Sequence, residues 1–272
     1  MKNKIIISII AALFVCTAAT ACTKAPTAPE RTGKTESEIP SQPDIAHYHF
    51  VEREDKTPYV VKKEATDGEI FEFIKNSCEK VSFVAHDRVD STAASKMNSV
   101  FDAAYSYHES ATTAMIKDLE DYLLSESVDM SVFPWETKID YTCVRNDGKA
   151  ISVVENIDYR GGISVYAYNF DPLTGDHVTN IFYTTGDKES LDAMDNLVYN
   201  KLIEKYGEDS GITYSMPNLV SMIDCAMGSW YFTETGAKLI FNPGSIAPIE
   251  NGSFELDLSK EELPETSLKY FN

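Results

Sequence analysis

The most constraining feature of the sequence is a series of segments with period-2 alternation that begins at Trp135. In "WETKIDYTCV", alternate residues from Trp135 to Cys143 share one face of a strand. The "NDG" turn at 146–148 then leads into "KAISVVENIDY". After the "RGG" corner at 160–162 come "GISVYAYNFD", the turn "DPLTGD" and "HVTNIF". This pattern predicts four consecutive antiparallel strands.

Two amphipathic helices flank these strands. Apolar residues recur at helical spacing from Thr92 to about Ser125, which predicts one long helix that must lie on a core. A second helix is predicted from Lys188 to Tyr206, with Gly207 as its C-cap. Shorter helices are predicted for "EIFEFIKNSC" (69–78) and "PNLVSMIDCAMG" (217–228).

The remaining β-prone segments complete the fold. One or two short strands are predicted between Ile45 and Lys63, and one in "KVSFVAHD" (80–87). A hairpin in "SWYFTETGAKLIFNP" turns at 235–236, and "SFELDL" (253–258) rejoins the sheet. The predicted fold class is α+β: a twisted, largely antiparallel sheet with one long and one shorter helix packed on one face. Residues 45–272 are expected to form a single domain.

The first residues indicate export. Lys2 and Lys4 precede an apolar run and the small residues of "ATAC", so residues 1–21 are predicted to be a lipoprotein signal peptide and Cys22 to be lipidated. The alternative is an ordinary secreted protein cleaved near the same place, in which Cys22 has no role. Residues 22–44 contain four prolines after Cys22 and no aromatic residue, and are predicted to be a disordered tether. The expected location is the outer face of the cell membrane of a Gram-positive bacterium.

Charge and cysteine content narrow the range of partners. Loss of the two signal lysines lowers the formal net charge from −19 to −21. Nucleic acid and anionic lipid surfaces are therefore unfavourable partners, whereas a cationic partner is favoured; the acidity alternatively only maintains solubility. Cys78, Cys143 and Cys225 remain in the mature chain, an odd and widely spaced set for which free thiols are expected.

Three segments carry a family resemblance: "ISVVENIDYRGG", "YAYNFDPLTGDHVTNIF" and "WYFTETGAKLIFNPGSIAPIENGSFELDLSKEEL". In this order they resemble the extracytoplasmic domain shared by the RsiV anti-sigma factor, which is a lysozyme receptor, and many Gram-positive envelope proteins. The same domain precedes the catalytic domain of some peptidoglycan deacetylases. The resemblance covers roughly Lys80 to Leu263 and implies a receptor-type function.

Two corners of the chain differ from the family pattern. The family often has Gly-Gly-Ala-His where this chain has "GGIS" (161–164), and usually Tyr-Glu where it has "GS" (244–245). The second corner lies in "FNPGSIAPIENG" (241–252), which is either a bend required by the fold or a displayed binding surface. The candidate ligand-binding residues are Gly161, Gly162, Ser164, Pro243, Ser245, Ile246, Pro248 and Ile249.

Known catalytic and metal-binding motifs are not found. The sequence has no H-E-x-x-H, no G-x-S-x-G and no Cys or His pairs at zinc spacing. His47 and His49 could bind a metal ion weakly, but an H-x-H pair is usually incidental, and no cofactor or metal is expected. The favoured hypothesis is a non-catalytic, membrane-anchored binding or sensory lipoprotein that recognises a cationic protein such as lysozyme, or a cell-wall component. The alternative is a hydrolase acting on the cell envelope, or an accessory subunit of one.

Overall fold

The computed structural model describes residues 48–53, 59–64, 70–86, 91–123, 131, 133–159, 162–212, 219–224 and 228–272. The strands are β1 (Tyr48–Arg53), β2 (Tyr59–Glu64), β3 (Ile70–Cys78), β4 (Lys80–Ala85), β5 (Trp135–Asn146), β6 (Ile151–Tyr159), β7 (Gly162–Phe170), β8 (Gly228–Phe232), β9 (Gly236–Phe241) and β10 (Phe254–Ser259). The helices are α1 (Ser91–Leu123), α2 (Lys188–Tyr206) and α3 (Leu219–Asp224).

The larger sheet has five strands in the order β2-β3-β5-β6-β7. Its neighbours are antiparallel except for β3 and β5, which run parallel with Ile74 opposite Trp135. Helix α1 covers one face of this sheet. The rings of Phe101 and Tyr141 lie 5.9 Å apart, and Met97 is fully buried in the same core. The apolar stripe predicted for the long helix is therefore a core face.

A two-stranded ladder of β1 and β4 packs beside α1. The amide side chain of Asn98 on α1 accepts from Phe83 N (2.6 Å) and donates to Phe83 O (3.0 Å). One side chain thus satisfies both backbone groups of a strand residue, as a neighbouring strand would.

The second sheet has the order β10-β9-β8 and carries its own core with α2 and α3. Asp187 caps α2 by accepting from Glu189 N and Ser190 N, and Gly207 ends the helix at φ +85°. The glycine at 236 is required by packing, because a Cβ there would lie 1.9 Å from Leu258 O. A close approach of β9 and β10 therefore explains the glycine in the predicted turn.

The two sheets are joined through buried polar side chains. Asn169 on β7 donates to Trp230 O (2.7 Å), and Ser152 on β6 accepts from Phe232 N (3.0 Å). Arg145 on β5 donates to Thr233 O (2.8 Å) and also to the carbonyl of residue 270. These bonds join residues that are 61 to 125 positions apart in the chain.

The α+β fold class is confirmed, as are the bounds of α2 and the hairpins predicted to turn at 146–148 and at 235–236. One detail of the layering differs from the prediction. The described strands form three hydrogen-bonded groups, and α1 and α2 pack against different sheets. The described cysteines Cys78 and Cys143 are free, as expected, while Cys225 lies outside the described residues.

Two secondary-structure predictions are wrong. The segment predicted as a helix at 69–78 contains β3, because pairing with β2 and β5 buries Phe73 and Ile74. The strand predicted in "HVTNIF" is reduced to one bridge between Phe170 and His177. Asn180 accepts from Phe182 N (2.8 Å) in a local turn, which competes with ladder formation.

No helix in the described part of the chain is long and apolar enough to cross a membrane. The predicted signal peptide, Cys22 and the tether all lie outside the described residues.

Candidate functional site

The first predicted corner lies at the start of β7. Gly162 is exposed and pairs with Tyr159, while Ser164 is half-buried and pairs with Ile157. Between them, Ile163 is 51 % exposed. Gly161 lies outside the described residues. This corner therefore presents a short exposed strand end with an apolar side chain.

The second predicted corner follows β9. Pro243 is half-buried, whereas Pro248 is exposed and Ile249 is 54 % exposed. Ser245 and Ile246 are only 4 % and 2 % exposed, so their side chains are not available to a ligand in this conformation. Ile246 belongs to the core of the smaller sheet, and Ser245 Oγ donates to the carbonyl of residue 242 (2.6 Å). The segment is thus a structural corner that leaves Pro248 and Ile249 at the surface.

The structure brings the two corners together through Asn242. Its Oδ1 accepts from Val165 N (2.8 Å), and its Nδ2 donates to Val165 O (3.1 Å). Asn242 is 7 % exposed and directly precedes Pro243, while Val165 directly follows Ser164. We call the exposed residues of the two joined corners, Gly162, Ile163, Gly244, Pro248 and Ile249, the corner surface.

Acidic residues border the corner surface. Glu250 follows Ile249 directly and is exposed. Asn251 Nδ2 donates to Ser210 O (2.9 Å), which holds the exposed residues Glu208 and Asp209 beside the same loop. The three carboxylates give this part of the molecule a negative potential that favours cationic groups.

Burial on the helix-facing side of β6 and β7 decreases towards the first corner. Val153 and Glu155 on β6 are buried, whereas Ile157 and Tyr159 further along are half-buried. On β7, Phe170 is fully buried, while Tyr166 and Ser164 are half-buried. Helix α1 therefore covers this end of the sheet less completely. Two half-buried tyrosines, Tyr159 and Tyr166, lie there.

At the covered end, a buried carboxylate collects three hydrogen bonds. Glu155 is 2 % exposed, and its Oε1 accepts from Tyr141 Oη (2.5 Å) and from His108 Nε2 (2.7 Å). Its Oε2 accepts from Tyr168 Oη (3.0 Å). His108 is itself 8 % exposed and lies on α1. We call these four residues the Glu155 network, which ties the long helix to three strands.

The tyrosine hydroxyls and the cysteine thiol near Glu155 stay protonated. Burial and the Glu155 carboxylate raise the pKa of Tyr141 and of Tyr168 well above the usual range. The same two causes raise the pKa of Tyr166 to about 12. Burial is also the main reason that the pKa of Cys78 rises to about 12. At neutral pH these groups are hydrogen-bond donors or apolar fillers rather than nucleophiles.

The geometry has consequences for chemistry. Both oxygens of Glu155 are occupied, and almost no surface of this carboxylate is accessible. Among the described residues, no three His, Cys, Asp or Glu side chains converge to hold a metal ion. The arrangement is suited to fixing the position of α1.

Sequence reasoning found the two corners but missed their contact and the Glu155 network. Glu155 occupies an ordinary position in an alternating strand, and its partners are 13, 14 and 47 residues away. His108 lies on α1, and the helical spacing of the apolar residues gives no sign that it has a buried partner. A charged residue at an inward position of a strand is the one local signal that could have indicated a buried network.

Comparisons with known proteins establish the fold. No protein-family model matches the chain, and a search of curated proteins found no match. Among solved structures, a DUF3298-family protein from Bacteroides fragilis covers 83 % of this chain and 97 % of its own length, with a TM-score of 0.54 and 13 % identity. A DUF3298-family protein from Pseudomonas aeruginosa covers 82 % of this chain and 96 % of its own length, with a TM-score of 0.53 and 11 % identity. The chain therefore shares the fold of these proteins over most of its length.

Proposed function

We propose that this chain is a membrane-anchored, extracytoplasmic binding or sensory lipoprotein that acts without catalysis. Its ligand is a cationic protein, such as a lysozyme, or a basic component of the cell wall. Cys22 carries the lipid, and residues 23–44 hold the folded part away from the membrane.

One observation carries the proposal: Asn242 joins two corners that are far apart in the sequence, and each corner carries exposed residues. Residues 163–164 and 244–245 depart from the family pattern, and a departure at surface corners changes recognition without changing the fold. Ile163 and Ile249 supply exposed apolar contacts, as interface centres usually do.

The charges favour a cationic ligand. The whole chain has a formal net charge of −19, and exposed acids at 208, 209 and 250 border the corner surface. Complementary charge accelerates encounter, whereas apolar contacts at an interface centre mainly slow dissociation. The ligand is therefore held by the isoleucines and attracted by the surrounding acids.

The Glu155 network supports a non-catalytic function. Its carboxylate is buried and fully hydrogen-bonded, and the adjacent tyrosine and thiol groups have raised pKa values. A hydrolase acting on the envelope needs an acid or base within reach of its substrate. The favoured role of this network is to hold α1 in place.

The test is surface plasmon resonance with immobilised lysozyme and with basic wall peptides. Ile249→Asp is expected to raise the dissociation rate by about tenfold or more, since it places a charge at an apolar contact. Leu173→Asp is the matched control, because Leu173 is 72 % exposed on a different loop and should leave binding unchanged.

A second pair of measurements separates charge from shape. Charge-neutralising variants of Glu208 and Glu250 should slow association, and rising salt should do the same because exposed charges are screened beyond about 8 Å at physiological ionic strength. Absence of binding to every cationic candidate at low salt would refute the proposal. Equal effects of the Ile249 and Leu173 variants would refute the assigned surface.

A further inference from the structure

The β1–β4 ladder places two histidines side by side. His49 on β1 pairs with Val84, and His86 directly follows β4, two residues beyond Val84. His86 is therefore the diagonal neighbour of His49 on the same face of the ladder. Their ring centroids are 3.7 Å apart.

Around His49, this face of the ladder is exposed to solvent, and His86 is half-buried. His49 is exposed, and its neighbours Val51 and Val84 are 39 % and 51 % exposed. The alternate residues Tyr48 and Phe83 are buried in the core instead. The contact between the imidazoles therefore does not result from packing in the core.

Two adjacent imidazoles on paired strands have the donor set of a transition-metal site. Neutral imidazole nitrogen suits Zn²⁺, Ni²⁺ and Cu²⁺, with Zn–N distances of about 2.0–2.1 Å. Around a shared ion the ring centroids would separate to roughly 5 Å, and the exposure of His49 leaves room for that rotation. Because paired strands already hold the two side chains together, little ordering is needed on binding.

We infer that His49 and His86 form a surface site for a divalent transition-metal ion, with Zn²⁺ as the reference ion. In the described part of the chain, no third His, Cys, Asp or Glu completes this set, so water fills the other positions. An ion at this site links β1, the first described strand after the predicted tether, to β4.

The test is isothermal titration of the full-length protein in detergent, without an affinity tag, using ZnCl₂. One equivalent of Zn²⁺ is expected to bind. His49→Asn and His86→Asn should each weaken binding by on the order of tenfold or more. His177→Asn is the matched control, because His177 lies outside the ladder beside Phe170 and should leave the affinity unchanged.

Thermal unfolding provides the second readout. Zn²⁺ should raise the Tm of the wild-type protein in a saturable way, because a ligand that binds the folded state stabilises it. The rise should be absent in His49→Asn, whose Tm without metal should equal that of the wild type since the side chain is exposed. No uptake of Zn²⁺ by the wild type at millimolar concentration, or undiminished uptake by His49→Asn, would overturn the inference.

Discussion

Replacing Glu155 is the perturbation whose effect follows most directly from the structure. Glu155→Ala removes the acceptor for Tyr141 Oη, Tyr168 Oη and His108 Nε2 in a buried region. Each buried donor left unpaired costs about 1–3 kcal/mol. Because three donors lose their acceptor, we expect a loss of about 3–5 kcal/mol, a large part of the roughly 5–15 kcal/mol that stabilises a typical domain.

A more conservative change separates the charge from the volume. Glu155→Gln keeps the size and one acceptor oxygen but turns the other position into a donor that faces the hydroxyl of Tyr168 or Tyr141. Its cost should be about 1–3 kcal/mol. The control is Glu204→Gln, since Glu204 is exposed on α2 and should change stability by less than about 0.5 kcal/mol.

The assay is urea unfolding followed by far-UV circular dichroism, which yields the free energy of unfolding and its m-value. An unchanged m-value with a lower midpoint would indicate loss of stability alone. The double variant Glu155→Gln with Tyr168→Phe should be less destabilised than the sum of the single variants, because the two residues share one hydrogen bond. A free energy for Glu155→Ala within about 0.5 kcal/mol of the wild type would refute the role assigned to the Glu155 network.

Three further predictions concern the anchor, the second core and the thiols. Cys22→Ala should move the protein from the membrane fraction to the medium or leave it as uncleaved precursor; unchanged detergent partitioning would rule out lipidation. Trp230→Ala and Phe241→Ala should each cost about 3–5 kcal/mol in urea unfolding, since these side chains are 4 % and 0 % exposed, and an unchanged midpoint would contradict this. Burial raises the pKa of Cys78 to about 12 and of Cys143 to about 11, so iodoacetamide at pH 8 should label both slowly in the folded protein and fully in denaturant. Mass spectrometry measures the extent of labelling. Rapid labelling of the folded protein would show that the thiols are accessible and would contradict the prediction.

The sequence was most informative where local chemistry decides structure. The helix from Lys188 to Tyr206 has an Asp cap before it and a glycine after it, and both ends are confirmed. The hairpin between β5 and β6 is predicted by the alternating residues on both sides of a turn. Asp147 stabilises that turn by accepting from the backbone of residues 149 and 150. Such signals act over a few residues and need no knowledge of distant partners.

The sequence was less informative where a short apolar segment is compatible with both a helix and a strand. Residues 70–78 could pack as a helix or as a strand, and periodicity cannot distinguish the two in so short a segment. Pairing with β5, more than 60 residues later, decides for a strand by burying Ile74 opposite Trp135. The strand predicted after the "DPLTGD" turn is wrong because a local bond replaces a distant one. Asn180 accepts from Phe182 N, so this backbone group is paired within its own turn.

The sequence by itself determined the α+β class, the period of most elements and the positions of the two candidate corners. Only the tertiary structure decided that Asn242 joins those corners through Val165, 77 residues away, and that Ser245 and Ile246 turn inward. The tertiary structure also decided that Glu155, at an inward position of an alternating strand, is buried and bonded to His108. The physical reason is that turns, caps and periodicity are encoded by neighbours, whereas burial and polar pairing depend on which distant strand or helix covers a residue.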